Sequence, residues 1–338
     1  MGRGDFAALA MPQQGMSRGP DSLLKRAGRL AARAAGAFLL AVVAVVAASA
    51  LALAATTPRG QMVEVEPGRA LRLVCEGPAG PSRPVVWFES GAFGIASDWA
   101  AVQAMLAAEG VRSCAYDRAG LGFSDPGPKP RAALTVARDL DRLIRASGET
   151  GPFVLVAHSA GGLYLRAFTG LRPELVRGIV LVDAMTPEAV RARPARGFLL
   201  NFRRGSGWVA AAASIGLMKP VALTSVADRI GLPAQARAEK RRAMGAGGHN
   251  RAAAAEVKAW EQGIEEALAA PPFDPAWPVA VVRSQRSGAP SAFNRLREAP
   301  AEAAAKGRVE YVPGASHTSL LGETHGARIA DAISFVSE

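Results

Sequence analysis

Short apolar runs alternate with helix-forming segments along most of this chain, and this alternation constrains the fold more than any other feature. The runs that resemble strands in the first half are 61–66, 70–76, 84–90, 111–117, 153–158 and 178–184. Segments with helical spacing follow several of them, as in Leu134 to Ala146. A strand followed by a helix usually returns to the sheet in the same direction. The pattern therefore predicts an α/β protein whose mostly parallel sheet is covered by helices on both faces.

The alternation stops in the middle of the chain and resumes near its end. Residues 185–275 are rich in Ala and Arg and contain helical segments without a clear strand. Strand-like runs return at 278–284 and 308–314. Because ligands of such sheets bind at the carboxyl ends of the strands, we expect the middle block to form a helical cap over that edge. The predicted core comprises 58–184 and 276–338.

An apolar run near the N-terminus is long enough to cross a membrane. From Ala34 to Thr57 the chain has no charged residue, and about 20 apolar residues span the hydrocarbon core as a helix. The cations directly before the run are Lys25, Arg26, Arg29 and Arg33. They predict that a basic segment, 1–33, stays in the cytoplasm while the rest of the chain lies on the extracytoplasmic side.

Two alternatives remain for the same run. A cleaved signal peptide would release a secreted protein, and the small residues at Ala48-Ser49-Ala50 and Ala52-Leu53-Ala54 suit a signal peptidase. A buried helix of a soluble protein is the second alternative. The run is longer than the apolar region usual in signal peptides, which favours a transmembrane helix or signal anchor.

The net charge of the chain says little about its partners. The formal value of +11 comes mostly from scattered Arg residues, without a basic run interleaved with aromatic residues. We therefore expect no nucleic-acid partner, and attraction to anionic membrane surfaces remains open. No phosphate loop, nucleotide fingerprint or metal cluster is present in the sequence, so we expect no cofactor.

The stretch "FVLVAHSAGG" places a serine at the corner between a buried strand and a helix. In a nucleophile elbow the residue at this corner adopts a strained backbone, so its neighbours two positions away must be small. Ala157 and Gly161 are those neighbours of Ser159. The turn would expose the Ser159 hydroxyl, and the N–H of Ala160 would stabilise an oxyanion beside it. A tight turn without catalytic function is the alternative.

From about Gln61 to the C-terminus the chain resembles the α/β-hydrolase fold superfamily of esterases, lipases and peroxidase-like enzymes. The stretches that carry the resemblance, in chain order, are "VVWFESGAFG", "SCAYDRAGLGFSD", "LVAHSAGG" and "VPGASHTSLL". The resemblance implies an eight-stranded, mostly parallel sheet with a variable helical cap. It also implies that the loop after the third strand supplies the second oxyanion N–H, from Ala92 or from its nearest rival, Phe93. Ala157 departs from the family pattern, which has Gly at that position.

The resemblance also indicates the base, because the family places its catalytic His in the loop that here contains His317. The chain has three other histidines. His158 adjoins the serine, so we expect its ring to point away from the hydroxyl and to pack or hydrogen-bond beneath the loops. We interpret His249 as a solvated loop residue of the cap, and His325 as part of the last helix.

No carboxylate stands at the family's usual position for the acid, just after the strand that follows the cap. The residues there are Ser284, Gln285, Arg286 and Ser287, and the next carboxylate is Glu298. Asp183 ends the strand after the elbow strand, where some hydrolase-fold enzymes have their acid, so we predict that it contacts His317. Capping or a hydrogen bond to a cap loop is the alternative role. Asp117 precedes the serine and is expected to bind backbone N–H groups of its own turn.

These residues predict a serine hydrolase that cleaves small-molecule carboxylic esters, or thioesters, through an acyl-enzyme. The alternatives are a carbon–carbon bond hydrolase, a cofactor-free haloperoxidase-like enzyme on the same fold, or a non-catalytic binding protein. Epoxide and haloalkane hydrolysis are disfavoured because such relatives use Asp as nucleophile. The apolar residues of the cap are expected to line an acyl pocket or to form the cap's own core: Phe198, Phe202, Trp208, Leu217, Met218 and Trp260.

The two cysteines lie in strands that are neighbours in the hydrolase fold. A Cys75–Cys114 bridge is therefore possible, and an oxidising compartment would preserve it. Two buried free thiols are the alternative.

Overall fold

The computed structural model describes residues 20–80, 83–192, 195–284 and 292–338. By its internal contacts the chain divides into two units, Met1–Ala47 and Ala48–Glu338. The first 19 residues of the predicted basic segment 1–33 lie outside the described residues.

A single eight-stranded sheet organises the second unit. Its strands are β1 (Gln61–Glu66), β2 (Arg69–Glu76), β3 (Val86–Glu89), β4 (Ser113–Tyr116), β5 (Phe153–His158), β6 (Val176–Val182), β7 (Val279–Ser284) and β8 (Gly307–Val312). Their order is β1-β2-β4-β3-β5-β6-β7-β8. Strand β2 runs antiparallel to its neighbours β1 and β4, whereas every other neighbouring pair is parallel. The predicted mostly parallel sheet is confirmed.

Both faces of the sheet are buried, as the elbow strand illustrates. Along β5, Phe153 and Leu155 belong to the apolar cluster on one face, and Val154 and Val156 belong to the cluster on the other. All four side chains are fully buried. A strand covered on both sides needs a continuous apolar run rather than an alternating one, and "FVLV" provides it.

Except for the first, which precedes the sheet in the chain, the helices cover the two faces of the sheet or form the middle block. They are α1 (Pro20–Ala54), α2 (Ala100–Ala108), α3 (Ala133–Ser147), α4 (Gly161–Leu171), α5 (Pro187–Arg191), α6 (Ala195–Ser214), α7 (Met218–Ala222), α8 (Ala234–Gly245), α9 (Gly247–Lys258), α10 (Trp260–Ala269), α11 (Ala292–Ala303) and α12 (Ala327–Ser337). The segment predicted as the cap, 185–275, contains α5 to α10 and no strand among its described residues. The order of strands changes direction at β3, which lies between β4 and β5, and such a switch point is where ligands of open α/β sheets bind.

The helix at the N-terminus is longer than the apolar run that predicted it. Helix α1 begins at Pro20, within the basic segment, and ends at Ala54. The predicted run continued to Thr57, but Pro58 disfavours helical backbone at the residue before it. Residues Leu24–Ala54 are long and apolar enough to cross a membrane.

Strands β2 and β4 carry a disulfide. Cys75 and Cys114 face each other in the antiparallel register of these strands, with Cα atoms 4.1 Å apart, and their sulfur atoms are bonded. Of the two alternatives for these cysteines, the structure therefore has the bridge. The carboxylate of Glu149 lies close to the two sulfur atoms, but bonded cysteines are not available as thiolate ligands for a metal ion.

Candidate active site

Ser159 occupies the corner between β5 and α4 in a backbone conformation that L residues rarely adopt. Its φ angle is +53°, in the left-handed region. The corner is fixed from both sides, because the Ser159 N–H donates to the Val182 carbonyl and the Ser159 carbonyl accepts from the N–H of Met185 at 2.7 Å. A strained residue that is held in this way is typical of a functional site.

Close packing around Ser159 explains why its neighbours are so small. A Cβ atom added to Gly161 would lie 2.6 Å from the carbonyl oxygen of Glu89, and one added to Gly91 would lie 2.8 Å from the Cβ of Ser159. Neither distance is compatible with a side chain. Ala157 is fully buried. The loop after β3 therefore touches the elbow directly, which brings the residue after Gly91 to the side of Ser159.

Backbone N–H groups near Ser159 are available to a ligand. The N–H groups of Ala160, Ala92 and Phe93 have no acceptor among the residues that the structure describes, so this observation does not choose between Ala92 and its rival, Phe93. The turn that carries Ala92 is closed by a hydrogen bond from the Gly94 N–H to the Gly91 carbonyl, at 3.0 Å. Phe93 in the same turn has a φ angle of +56°. Unpaired donors beside a half-buried serine are the chemistry that an oxyanion hole requires, and their role stays a prediction.

His317 and Asp183 lie in hydrogen-bonding contact. The Nδ1 atom of His317 is 3.2 Å from Oδ2 of Asp183. The carboxylate is 4% exposed, whereas the His317 side chain is 49% exposed and open to a substrate. The hydroxyl of Ser159 has no hydrogen-bond partner among the described residues. The contact that the sequence predicted between acid and base is thus present, and the catalytic roles of all three residues stay predictions.

Asp183 is held by groups besides His317. The Ser284 hydroxyl donates to its Oδ2 atom at 2.6 Å, and Nη2 of Arg297 donates to its Oδ1 atom at 3.1 Å. Burial alone would raise the pKa of Asp183, but the hydrogen bond with His317, the charge of Arg297 and the Ser284 hydroxyl together hold this pKa well below its usual value. The carboxylate is therefore ionised at neutral pH.

Strand β7 follows the cap, and the acid of related enzymes usually lies just after this strand. Here β7 contributes a hydroxyl to the site. Ser284 ends β7 and donates its hydroxyl to Asp183, which ends the neighbouring strand β6. Gln285, Arg286 and Ser287, named above at the usual position, lie outside the described residues. Glu298 is in α11 and forms an ion pair with Arg283.

His158 forms a hydrogen bond with the loop that carries His317, as its expected role beneath the loops allows, although the sequence did not indicate the partner. Its Nε2 atom lies 3.0 Å from the carbonyl oxygen of His317. Because a carbonyl only accepts, Nε2 of His158 carries the proton. Burial first, and then the neighbouring charge of His317, lowers the pKa of His158 to about 3. The ring is therefore neutral at physiological pH and holds the His317 backbone as a hydrogen-bond donor.

Arg118 connects the loop after β3 with the cap. Its Nη1 atom donates to the carbonyl of Ser90 at 2.7 Å, and its Nη2 atom donates to the carbonyl of Gly91 at 2.9 Å. The same guanidinium pairs with Glu89 on β3 and with Glu256 on α9. Arg118 is 1% exposed. The sequence around Arg118 does not indicate that one of its partners comes from the cap.

Asp117 binds the backbone as predicted, whereas the interpretation of His249 was wrong. The Asp117 carboxylate accepts from the N–H groups of Ala96 and Phe123. His249 was expected in a solvated loop, but its "GAGGHNR" surroundings begin helix α9, and the ring is 3% exposed. Its Nδ1 atom accepts from the Gly122 N–H at 3.0 Å. His325 lies in the turn before α12, not in the helix.

The apolar residues of the cap divide into two groups. Phe202 and Trp260 stack on each other and belong to a cluster that contains Ala160 of the elbow and Phe93 of the neighbouring loop. These two residues are therefore candidates for an acyl pocket. Phe198, Trp208 and Leu217 are exposed, so they do not form the buried core of the cap.

Comparisons with known proteins agree with this architecture. Residues 84–213 match the family model described as the α/β-hydrolase fold. An AB hydrolase superfamily protein of Gibberella zeae is 36% identical over 101 residues, which are 30% of this chain and 31% of that protein. A vacuolar membrane protein of Saccharomyces cerevisiae is 32% identical over 111 residues, 31% of this chain and 17% of that protein. The chain thus spans less than a third of the length of these relatives.

Solved structures match over more of the chain. A structure described as a putative epoxide hydrolase from Pseudomonas aeruginosa has a TM-score of 0.63 at 18% identity, covering 83% of this chain and 96% of its own. A thermophilic esterase from Thermogutta terrifontis has a TM-score of 0.57 at 20% identity, covering 83% of this chain and 100% of its own. At this identity the likeness establishes the fold and not the substrate. From its sheet order, its match to the family model over residues 84–213 and these structural relatives, the chain has the α/β-hydrolase fold.

Proposed function

We propose that the chain is a serine hydrolase that cleaves carboxylic ester or thioester bonds through an acyl-enzyme. Ser159 is the nucleophile, His317 the general base and Asp183 the group that orients the base. The N–H groups of Ala160 and Ala92 are the donors to the oxyanion. The observation that carries the proposal is the 3.2 Å contact between His317 and the buried carboxylate of Asp183, in a protein whose elbow serine has a φ angle of +53°.

The reaction follows from the chemistry of these groups. An ionised Asp183 accepts a hydrogen bond from Nδ1–H of His317, which leaves Nε2 unprotonated and basic. His317 takes the hydroxyl proton as the oxygen of Ser159 bonds to the acyl carbon. The protonated His317 then gives that proton to the leaving alcohol or thiol as its bond to the acyl carbon breaks. Water repeats the two steps on the acyl-enzyme and regenerates the hydroxyl.

The buried environment of Asp183 favours this assignment over a capping role. During the reaction His317 becomes positively charged, and an ionised carboxylate in a buried position stabilises that charge. Arg297 and Ser284 keep the carboxylate in place through Oδ1 and Oδ2. The absence of a hydrogen bond at Ser159 is compatible with the mechanism, because catalytic hydrogen bonds often form only once a substrate is bound.

Other reactions of the fold are less well supported. One structural relative bears the name of an epoxide hydrolase, but the expected nucleophile of that chemistry is Asp, and this elbow has Ser159. A carbon–carbon bond hydrolase or a haloperoxidase-like enzyme would use a similar triad. A non-catalytic binding protein would have no need of a buried acid that contacts an exposed histidine.

A panel of p-nitrophenyl esters of increasing chain length tests the proposed reaction. We expect turnover of at least one ester by the full chain, with loss of about 10⁴-fold or more in kcat for Ser159→Ala. Ser337→Ala is the matched control, because that serine lies in α12 and donates only to the Ile333 carbonyl. Turnover of a carbon–carbon bond substrate without turnover of any ester would favour the alternative reaction.

We also propose that helix α1 anchors the protein, with the catalytic unit on the extracytoplasmic side. The uncharged run that begins at Ala34, within the candidate span Leu24–Ala54, the cations directly before that run and a relative named as a vacuolar membrane protein support membrane association. The protein should stay in the membrane fraction after a carbonate wash, with its C-terminus open to external protease. Release of a soluble form that begins near Ala55 would support the cleaved signal instead.

A further inference from the structure

Exposed apolar side chains outside α1 are concentrated in one part of the cap. Within the described residues, large apolar side chains that are exposed outside α1 are Met62, Leu171, Tyr311 and eight residues between 198 and 226. We call these eight the apolar cap surface: Phe198, Leu200, Trp208, Ile215, Leu217, Val221, Leu223 and Val226. Trp208 is 77% exposed and Ile215 is 72% exposed. A concentration of this kind marks a surface that binds something in the native protein.

The charges of the same segment have a single sign. The sequence from 189 to 227 contains six cations and no carboxylate. Arg196, Arg203 and Arg204 of helix α6 are exposed and form no ion pair within the part of the chain that the structure describes. Tryptophan and aliphatic side chains beside unpaired arginines are the composition of surfaces that bind the interface of anionic membranes.

The end of helix α1 reaches the catalytic unit at this part of the cap. Leu53 is buried, and its Cδ1 atom lies 2.7 Å from the position that a Cβ of Gly245 would occupy. Nη1 of Arg242 donates to the carbonyls of Ala54 and Thr56. Leu223, of the apolar cap surface, shares a cleft with Leu53. The last residues of the predicted membrane span are therefore fixed to the cap close to Leu223 of the apolar cap surface.

We propose that the apolar cap surface lies in the headgroup region of an anionic lipid bilayer. The unpaired arginines explain the preference for anionic lipid, and the contact of Leu53 and Thr56 with the cap explains why the membrane is the nearest partner. The proposal rests on the proposed anchorage and not on the hydrolase reaction, so it can fail while the reaction stands. In this proposal one side of helix α6 contacts the lipid headgroups. Leu199 and Phe202, on the same helix, pack toward Ala160 and Phe93 beside the candidate site.

Spin labelling of the full chain in nanodiscs tests this surface. The native cysteines are bonded to each other, so a label on Trp208→Cys reports on that site alone. Leu171→Cys is the matched control, since Leu171 is also apolar and exposed but ends helix α4, about 15 Å along the helix from the elbow. Collision of each label with oxygen, which dissolves in lipid, is compared with collision with an aqueous nickel complex.

With phosphatidylglycerol in the nanodisc, we expect the ratio of oxygen to nickel collisions to be several-fold higher at position 208 than at 171. Ile215→Cys should behave like Trp208→Cys. The ratio at 208 should fall in phosphatidylcholine alone, and in a variant that also carries Arg203→Glu and Arg204→Glu. Equal ratios at 208 and 171 would overturn the proposal. A second result would also overturn the proposal: few collisions of the label at 208 with either oxygen or the nickel complex, together with dipolar broadening between labels. That result would show that a second copy of the chain covers this surface. Carbonate washing, run in parallel, tests the anchor separately.

Discussion

The Nδ1 atom of His317 lies 3.2 Å from the Oδ2 atom of Asp183, although the two residues are 134 positions apart in the chain. Asp183 ends β6, and its φ angle of +42° turns the backbone sharply at that point. The adjacent strand β7, where the family usually has its acid, supplies the Ser284 hydroxyl to the same carboxylate. In the triad proposed above, the acid therefore ends β6 and not β7, and Ser284 at the end of β7 donates to it.

Replacement of Asp183 by Asn should impair the reaction without unfolding the protein. In Asp183→Asn the amide no longer stabilises a charged imidazolium and can favour the wrong tautomer of His317, so kcat should fall by about 10²- to 10⁴-fold. Asp331→Asn, an exposed change in α12, is the control. The measurement is kcat on the best ester, with circular dichroism to check the fold. Near-full activity of Asp183→Asn would remove Asp183 from the mechanism.

Arg118 should act as a positioning residue for the loop after β3, which carries the proposed oxyanion donor Ala92. Arg118→Lys loses one or both of the hydrogen bonds to the Ser90 and Gly91 carbonyls, and a displaced N–H donor costs about 10²-fold in kcat. Glu256→Gln weakens the ion pair of the same guanidinium but leaves those two hydrogen bonds possible. We therefore expect kcat to fall more in Arg118→Lys than in Glu256→Gln, with a smaller change in KM. Equal losses of kcat in the two variants would indicate a purely structural ion pair.

Stability should decrease in mild acid because of buried histidines. Burial first, and then the charges of Lys240 and Arg118, lowers the pKa of His249 to about 3. Between the unfolded pKa of about 6.5 and the folded pKa of about 3, the unfolded chain binds this proton and the folded chain does not. Over that range the free energy of unfolding falls by about 1.4 kcal/mol for each unit that the pH decreases. His158 contributes in the same direction.

The variant His249→Gln should therefore show a shallower loss of stability between pH 6.5 and 4.5. Chemical unfolding in detergent at several pH values measures the slope, and His325→Gln controls for the substitution itself. An unchanged slope in His249→Gln would mean that this histidine is not the source of the pH dependence.

The disulfide between Cys75 and Cys114 should stabilise the folded protein. It closes a loop across a sequence separation of 39 residues, for which the loss of chain entropy in the unfolded state corresponds to about 4 kcal/mol. The double variant Cys75→Ala with Cys114→Ala should have a lower free energy of unfolding by about that amount. Thiol titration of the denatured, unreduced wild type should find no free thiol, and two free thiols would contradict the bridge.

The fold followed from local patterns, and the unexpected parts of the site depend on long-range contacts. Apolar runs such as "FVLV" identified the strands because a strand buried on both faces leaves no other choice of residues. The small neighbours of Ser159 identified the elbow because its backbone requires them. By contrast, the buried position of His249 and the link between Arg118 and Glu256 arise from helix α9, and Glu256 is 138 residues from Arg118 along the chain. The residues next to His249 or Arg118 in the sequence do not indicate these contacts.

Covalent labelling of Ser159 tests the central claim most directly. The full chain is treated with a fluorophosphonate, digested, and its peptides are analysed by mass spectrometry. We expect one adduct, on Ser159, that is absent in Ser159→Ala, strongly slowed in His317→Ala and unchanged in Ser337→Ala. Labelling of folded protein at another serine, or undiminished labelling of Ser159→Ala, would contradict the assignment of Ser159 as the nucleophile.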